Sequence, residues 1–239
     1  MKRSDINRRM REAIELCNEY SFKLPPFATW TPADWKTKGV ECAAIVQQQI
    51  GWDITDFGSG DFASVGLILF TLRNGVFSDV ERDPLLARSY AEKMLIVGEK
   101  QVTPTHFHYS KTEDIINRGG GVLVVQLWNS TDDERCDDSD VTVLCDGVQV
   151  NTKAGGVIEL SPGESVTLPR RLYHKFWGKV GCGPTLVGEV SRVCDEYIDN
   201  RFLESVGRFA SIEEDEEPLY LLFNDYAHHF REYGLVNRK

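Results

Sequence analysis

The chain has 239 residues, 41% of them hydrophobic, and a formal net charge of −10. That length suits one large domain or one domain with extensions, and the composition allows a sizeable core. The acidic balance argues against nucleic acid or an anionic membrane surface as the main partner.

The N-terminus reads as an amphipathic helix rather than a secretory leader. Ile6, Met10, Ala13, Ile14 and Cys17 recur at helical spacing between Ser4 and Tyr20, with Ser4 as a candidate cap. Leu24-Pro25-Pro26-Phe27 breaks it, and Thr31 and Pro32 fit the cap and first turn of a second, short helix. No apolar run approaches the roughly 18 residues of a membrane-spanning helix. Cys17, Cys42, Cys136, Cys145, Cys182 and Cys194 show no CxxC spacing. They read as buried or incidental thiols of a reducing cytoplasm, where the protein is expected to reside.

After Trp52 to Asp56 and the Gly58-Ser59-Gly60 turn, the texture changes to short apolar runs between turn signals. Candidate strands are Gly66 to Arg73, Lys93 to Val97, Asp114 to Asn117, Gly121 to Trp128, Val141 to Leu144, Val148 to Val150, Val157 to Leu160, Ser165 to Leu168, His174 to Trp177 and Thr185 to Val193. Many short strands at close spacing imply a β-sandwich or barrel. Beyond Asp199 the chain turns acidic and aromatic, and Glu213 to Glu217 reads as a solvated loop. The expected organisation is one mainly β domain, with its barrel core at roughly residues 60–200 and helical arms over 1–59 and 201–239.

Three of the five histidines carry the chemistry. On a strand, residues i and i+2 share a face, so His106 and His108 can aim both imidazoles into one cavity. Glu113 follows closely, and His174 ends a second cluster, Gly163 to His174, in the same β region. Imidazoles with one carboxylate suit a divalent transition metal such as Mn, Zn, Fe, Co or Ni.

These residues resemble the two motifs of the cupin superfamily. The first reads Gly98, His106-x-His108, Glu113 and Gly120; the second reads Gly163, Pro169 and His174. Three features depart from the pattern: the spacer between Gly98 and His106 is two residues longer than usual, Arg171 replaces a glycine, and Gly178 replaces the final asparagine. The resemblance implies a double-stranded β-helix (jelly-roll) barrel, with His106, His108, Glu113 and His174 as metal ligands.

A longer resemblance covers nearly the whole chain. It is carried by Lys2 to Asn7, Phe27 to Trp30, Tyr90 to Lys93, Pro104 to His108, Lys111 to Gly121, Gly188 to Ser191 and Asp199 to Phe202. Together these are similar to the D-lyxose isomerase family. That implies an aldose–ketose isomerase acting on D-lyxose/D-xylulose and D-mannose/D-fructose, with a divalent metal, commonly manganese, and a homodimeric assembly.

Such chemistry through a metal-stabilised cis-enediol needs a base, an oxyanion stabiliser and an acid. Glu189, in the mostly apolar strand around Leu186 to Ser191, is the candidate base; the alternative is a structural acid paired with Arg192 or Arg201, or a partner of a metal-bound histidine. Lys93 is a candidate donor to the substrate, or a solvated strand end. Asp199 and Arg201 are candidates to grip sugar hydroxyls, or a structural pair. Asp195, Glu213 and Glu214 are weaker candidates, and His228 and His229 read as packing or surface residues. A sugar-phosphate isomerase would want a basic cluster, for which Arg170-Arg171 is the one obvious pair. A metal-dependent oxygenase and a non-catalytic sugar-binding cupin are the remaining alternatives.

Overall fold

The computed structural model describes residues 1–83, 85 and 87–229. Its strands, numbered in chain order, form two antiparallel sheets. The larger runs β1 (Gly51–Thr55), β2 (Leu67–Arg73), β3 (Tyr90–Val97), β12 (Thr185–Arg192), β5 (Glu113–Gly120), β10 (Ser165–Leu168), β7 (Val141–Cys145) and β8 (Val148–Thr152). The smaller runs β13 (Asn200–Phe202), β4 (Thr103–His108), β11 (Tyr173–Gly178), β6 (Leu123–Trp128) and β9 (Val157–Leu160). The fold is mainly β, as expected.

Period-two alternation explains how the sheets meet. Leu67, Leu69, Leu95, Val97, Ile115 and Val187 of the large sheet pack against Leu123, Val125, Leu127, Leu160 and Phe176 of the small one. The opposite faces of β2, β3 and β12 are also covered. Ile68, Phe70, Met94, Ile96 and Leu186 pack under Ile6, Met10, Ala13 and Cys17 of helix α1 (Arg3–Glu19). These strands therefore read as continuous apolar runs, because neither face meets water. Each fully buried aliphatic side chain contributes about 1.5–3 kcal/mol.

The start of α1 differs from expectation. The helix begins at Arg3 with Lys2 as its uncapped flank, and Ser4 lies inside it. The acidic run supplies what a cap would. The Ser4 N–H and hydroxyl donate to Asp215 at 2.9 and 2.8 Å, and Arg3, buried, is gripped by Glu214 at 2.6 Å and Asp225 at 3.0 Å. Negative charge at a helix N-terminus is stabilising, so Glu213 to Glu217 docks the C-terminal arm rather than forming a free loop. Thr31 does cap α2 (Pro32–Trp35), in a reciprocal box with Asp34. Helices α3 (Ala43–Gln47) and α4 (Phe77–Arg82) carry no clear signal in the sequence.

Two strands lie outside the expected 60–200 limits: β1 comes from the N-terminal arm, and β13 runs into the C-terminal one. The described helical structure of the C-terminal arm is a short 3-10 turn, Phe223–Asp225, followed by α5 (Tyr226–His229). The side chains of His228 and His229 lie outside the described residues. Among the described residues, no helix is long and apolar enough to cross a membrane, and all six cysteines are free thiols.

The turn after β5 depends on glycine. Gly120 has φ +88°, and a Cβ there would lie 2.3 Å from the Pro184 carbonyl oxygen. Gly120→Ala is expected to destabilise the fold by about 2 kcal/mol, read as a lowered urea midpoint at unchanged m-value.

Candidate metal centre and active site

Strand parity places His106 and His108 on the inner face of β4. β11 runs antiparallel beside it, with His174 opposite His106. One nitrogen from each of the three rings falls within 4.8 Å of the others. Glu113 opens β5 in the facing sheet. Its Oε1 lies 3.4 Å from His108 Nε2 and 3.2 Å from His174 Nε2. The four side chains are all buried.

The backbone fixes two of the tautomers. His106 Nδ1 donates to the Pro104 carbonyl at 2.7 Å, and His174 Nδ1 donates to the Leu172 carbonyl at 3.0 Å. A carbonyl only accepts, so each Nε2 carries a lone pair. His174 Nε2 is buried with no hydrogen-bond partner among the described residues. A lone pair facing a carboxylate oxygen with no proton between them is repulsive, and a cation held between them relieves it. This donor set fits a divalent transition ion.

Burial first, then the neighbouring His174 and His108, push His106 well below its usual value of 6.5. Burial and Lys111 push His108 down as well. Burial works to raise Glu113, but Lys111 and His108 outweigh it and hold the carboxyl well below its usual range. The sign for stability follows. The unfolded chain takes up protons at His106 and His108 near pH 6.5, and the folded chain resists taking them up there. Stability present above that pH is expected to be lost as pH falls below it. Urea midpoints of metal-free protein between pH 7.5 and 5 check this as about-unit steps on the pH axis.

From Glu113 a chain of alternating charges runs through the cavity. Lys111 Nζ lies 2.7 Å from Glu113 Oε2 and 2.7 Å from Glu189 Oε1. Lys93 Nζ lies 3.1 Å from Glu189 Oε1 and 2.6 Å from Glu196 Oε1. Arg208 Nη2 then joins Glu196 at 2.7 Å to Asp53 at 2.6 Å. Sheet register makes this possible, since Glu189 pairs directly with Lys93 across β12 and β3. Burial opposes the charge on Lys93, but Glu189 and Glu196 hold its pKa well above the ordinary value. Burial likewise opposes ionisation of Glu196, and Lys93 and Arg208 hold it well below. Buried charges survive here because each has a partner of opposite sign.

Glu189 and Lys93 both line this cavity with the histidines. Glu189 pairs with the two lysines rather than with Arg192 or Arg201, and Lys93 is no solvated strand end, being 2% exposed. Asp199 and Arg201 stand apart. β13 pairs with β4 so that Arg201 lies opposite Phe107, while Asn200 and Phe202 lie opposite His108 and His106. Parity therefore turns Asn200 and Phe202 toward the cavity, and both line it. Asp199 accepts from the Ser110 N–H at 2.8 Å, and Arg201 donates to Glu134 at 2.6 Å. Asp195 accepts from the Tyr197 N–H within its own turn. Glu213 and Glu214 lie at the N-terminus of α1. Sequence reasoning missed Lys111, Glu196, Arg208, Asn200 and Thr103 as cavity residues.

The two substituted positions of the cupin pattern have physical accounts. Arg171 adopts φ +63°, the conformation a glycine would take, and its guanidinium lies 5.1 Å from the Phe107 ring centroid. At Gly178 a Cβ would lie 2.6 Å from the Gly98 carbonyl oxygen, so the backbone itself closes the approach there.

A family profile described as D-lyxose isomerase matches residues 1–226. The chain is 46% identical to a D-lyxose/D-mannose isomerase of Escherichia coli O157:H7 over 229 residues, which is 95% of this chain and 98% of that one. It is 44% identical to a D-lyxose/D-mannose isomerase of Serratia proteamaculans over 227 residues, with the same coverage. Among solved structures, L-ribose isomerases of Geodermatophilus obscurus and, with L-ribose, of Cellulomonas parahominis share the fold. Their TM-scores are 0.60 and 0.58 at 16% identity, each covering 89% of this chain and 98% of the other. The fold is thus that of the cupin-like sugar isomerases, and the chain is an enzyme that belongs to the D-lyxose isomerase family.

Proposed function

We propose that this enzyme is a metal-dependent aldose–ketose isomerase interconverting D-lyxose with D-xylulose and D-mannose with D-fructose. His106, His108, Glu113 and His174 would hold the ion, for which Mn²⁺ is our assignment. The observation that carries the reading is the convergence of these four donors beside a second carboxylate, Glu189, in one cavity.

A bound divalent ion supplies Lewis acidity to the carbonyl and adjacent hydroxyl of the open-chain sugar. The protein's own groups do the rest. Lys111 donates to Glu189 Oε1, and Lys93 forms an ion pair with the same oxygen at 3.1 Å. Glu189 takes the proton from C2 of the aldose. The C–H electron pair becomes the C1–C2 double bond, and the carbonyl pair moves onto O1. O1 takes a proton from Lys93 to complete the cis-enediol; the C1–C2 double-bond pair then takes the proton back from Glu189 at C1, and the O2–H pair forms the C2 carbonyl as that proton returns to Lys93. Lys93 is the donor for the substrate oxygen that gains negative charge.

The phosphate alternative loses its anchor, because neither Arg170 nor Arg171 lines the cavity and Arg171 stacks on Phe107. The gripping role read from sequence for Asp199 and Arg201 has no support from their positions. We also propose a cytoplasmic homodimer: free thiols suit a reducing compartment, and a second copy would cover exposed sheet edges.

Turnover of D-lyxose in deuterated water, followed by NMR, tests the reading. D-Xylulose carrying solvent deuterium at C1 is the expected product. Ketose without deuterium would replace proton transfer with a hydride shift, and absence of ketose under every divalent metal would overturn the function.

A further inference from the structure

Two side chains that line the cavity each carry a polar atom that the scheme above leaves unused. Arg208 directs Nε and Nη2 to Glu196 at 3.2 and 2.7 Å, and Nη2 also reaches Asp53 at 2.6 Å. Its Nη1 is buried and has no hydrogen-bond partner among the described residues. Thr103 Oγ1, on β4, is buried and unpartnered in the same way. Both side chains line the cavity that holds His106 and Glu189. Buried polar atoms are nearly always paired, so two orphans in one cavity point to a ligand that pairs them.

The charges around Arg208 say what kind of ligand. Two carboxylates, Glu196 and Asp53, already share this guanidinium. A further anion would meet their repulsion, whereas a neutral hydroxyl oxygen would accept from Nη1 without that cost. A threonine hydroxyl likewise matches a sugar hydroxyl as donor or acceptor. Asp53 comes from β1, a strand held by β2 across five register pairs and buried along its whole length. It therefore presents a rigid carboxylate behind Arg208.

We propose that Arg208 and Thr103 form the specificity subsite for those hydroxyl groups of the sugar that the histidine–Glu113 cluster does not hold, with Asp53 as the positioning residue that aims Arg208. The inference rests on the sugar-isomerase reading above, and it places substrate discrimination partly in the N-terminal arm.

Steady-state kinetics on D-lyxose and its 3-, 4- and 5-deoxy analogues test it, using wild type, Arg208→Lys, Thr103→Val, Asp53→Asn and Asp53→Glu. With wild type, at least one deoxy sugar is expected to lose about 10- to 100-fold in kcat/KM, the range of a charge-assisted hydrogen bond. In Arg208→Lys or Thr103→Val, that penalty is expected to shrink to about 3-fold or less. Asp53→Asn is expected to raise KM more than it lowers kcat, and Asp53→Glu to restore part of the loss. Thr103→Val is nearly isosteric, so it reads the subsite even if Arg208→Lys folds poorly. Deoxy penalties unchanged in both Arg208→Lys and Thr103→Val, or no penalty for any analogue with wild type, would overturn the subsite. A wild type inert on D-lyxose itself would instead remove the isomerase reading on which the subsite depends.

Discussion

Glu189→Gln is expected to lower kcat on D-lyxose by about 10²- to 10⁴-fold, the usual contribution of a positioned general base. The amide keeps the side chain's size, and its oxygen can still accept from Lys111 and Lys93, which now meet Glu189 Oε1 at 2.7 and 3.1 Å. KM should move little, because the lost interaction operates in the transition state. The variant should also retain its metal, since Glu189 is not among the four converging donors. Metal content by elemental analysis beside kcat separates the two roles. A fully active variant would remove Glu189 as the base. An inactive variant that has also lost its metal would make Glu189 a support of the cluster instead.

Lys111→Met should have the largest effect on stability. It leaves two carboxylates, Glu113 and Glu189, without the ammonium that now sits 2.7 Å from each. Lys111 is buried, and its pKa stands above the ordinary lysine value because these carboxylates outweigh the cost of burial. Breaking a buried pair from one side costs about 3–5 kcal/mol. The deficit should be greatest at neutral pH and shrink as the pH falls, because a protonated carboxyl needs no cationic partner. Urea unfolding of metal-free protein at several pH values reads it. A deficit under about 1 kcal/mol at pH 7 would mean that Lys111 is not what holds Glu113 and Glu189 in place.

The legible parts of the molecule were those governed by short-range periodicity. The His106-x-His108 spacing gave a shared strand face, and β11 did bring His174 opposite His106. The apolar runs of β2, β5, β6 and β12 were found at nearly their observed positions. β1 was not read as a strand, because all five of its residues are buried and Asp53 and Thr55 interrupt its apolar pattern. Parity also misled at β13. Asp199 and Arg201 do share alternation, but only pairing with β4 decides which parity faces inward, and it is that of Asn200 and Phe202.

The charge chain was legible only in part. Glu189 stood out as a carboxylate in an apolar strand. Lys111 did not, since it lies in a polar turn between His108 and Glu113, where a lysine ordinarily meets solvent. Glu196 and Arg208 come from irregular segments after β12 and β13, and Asp53 from the N-terminal arm. Their meeting is a property of tertiary closure that no local spacing records.

The central claim is that the four converging donors hold an ion required for aldose–ketose isomerisation. Its most direct test is D-xylulose formation from D-lyxose by protein stripped with EDTA, dialysed, and assayed with and without added Mn²⁺. The account predicts no ketose from the stripped protein and recovery of turnover when the metal is restored. Equal turnover by stripped and restored protein would contradict it.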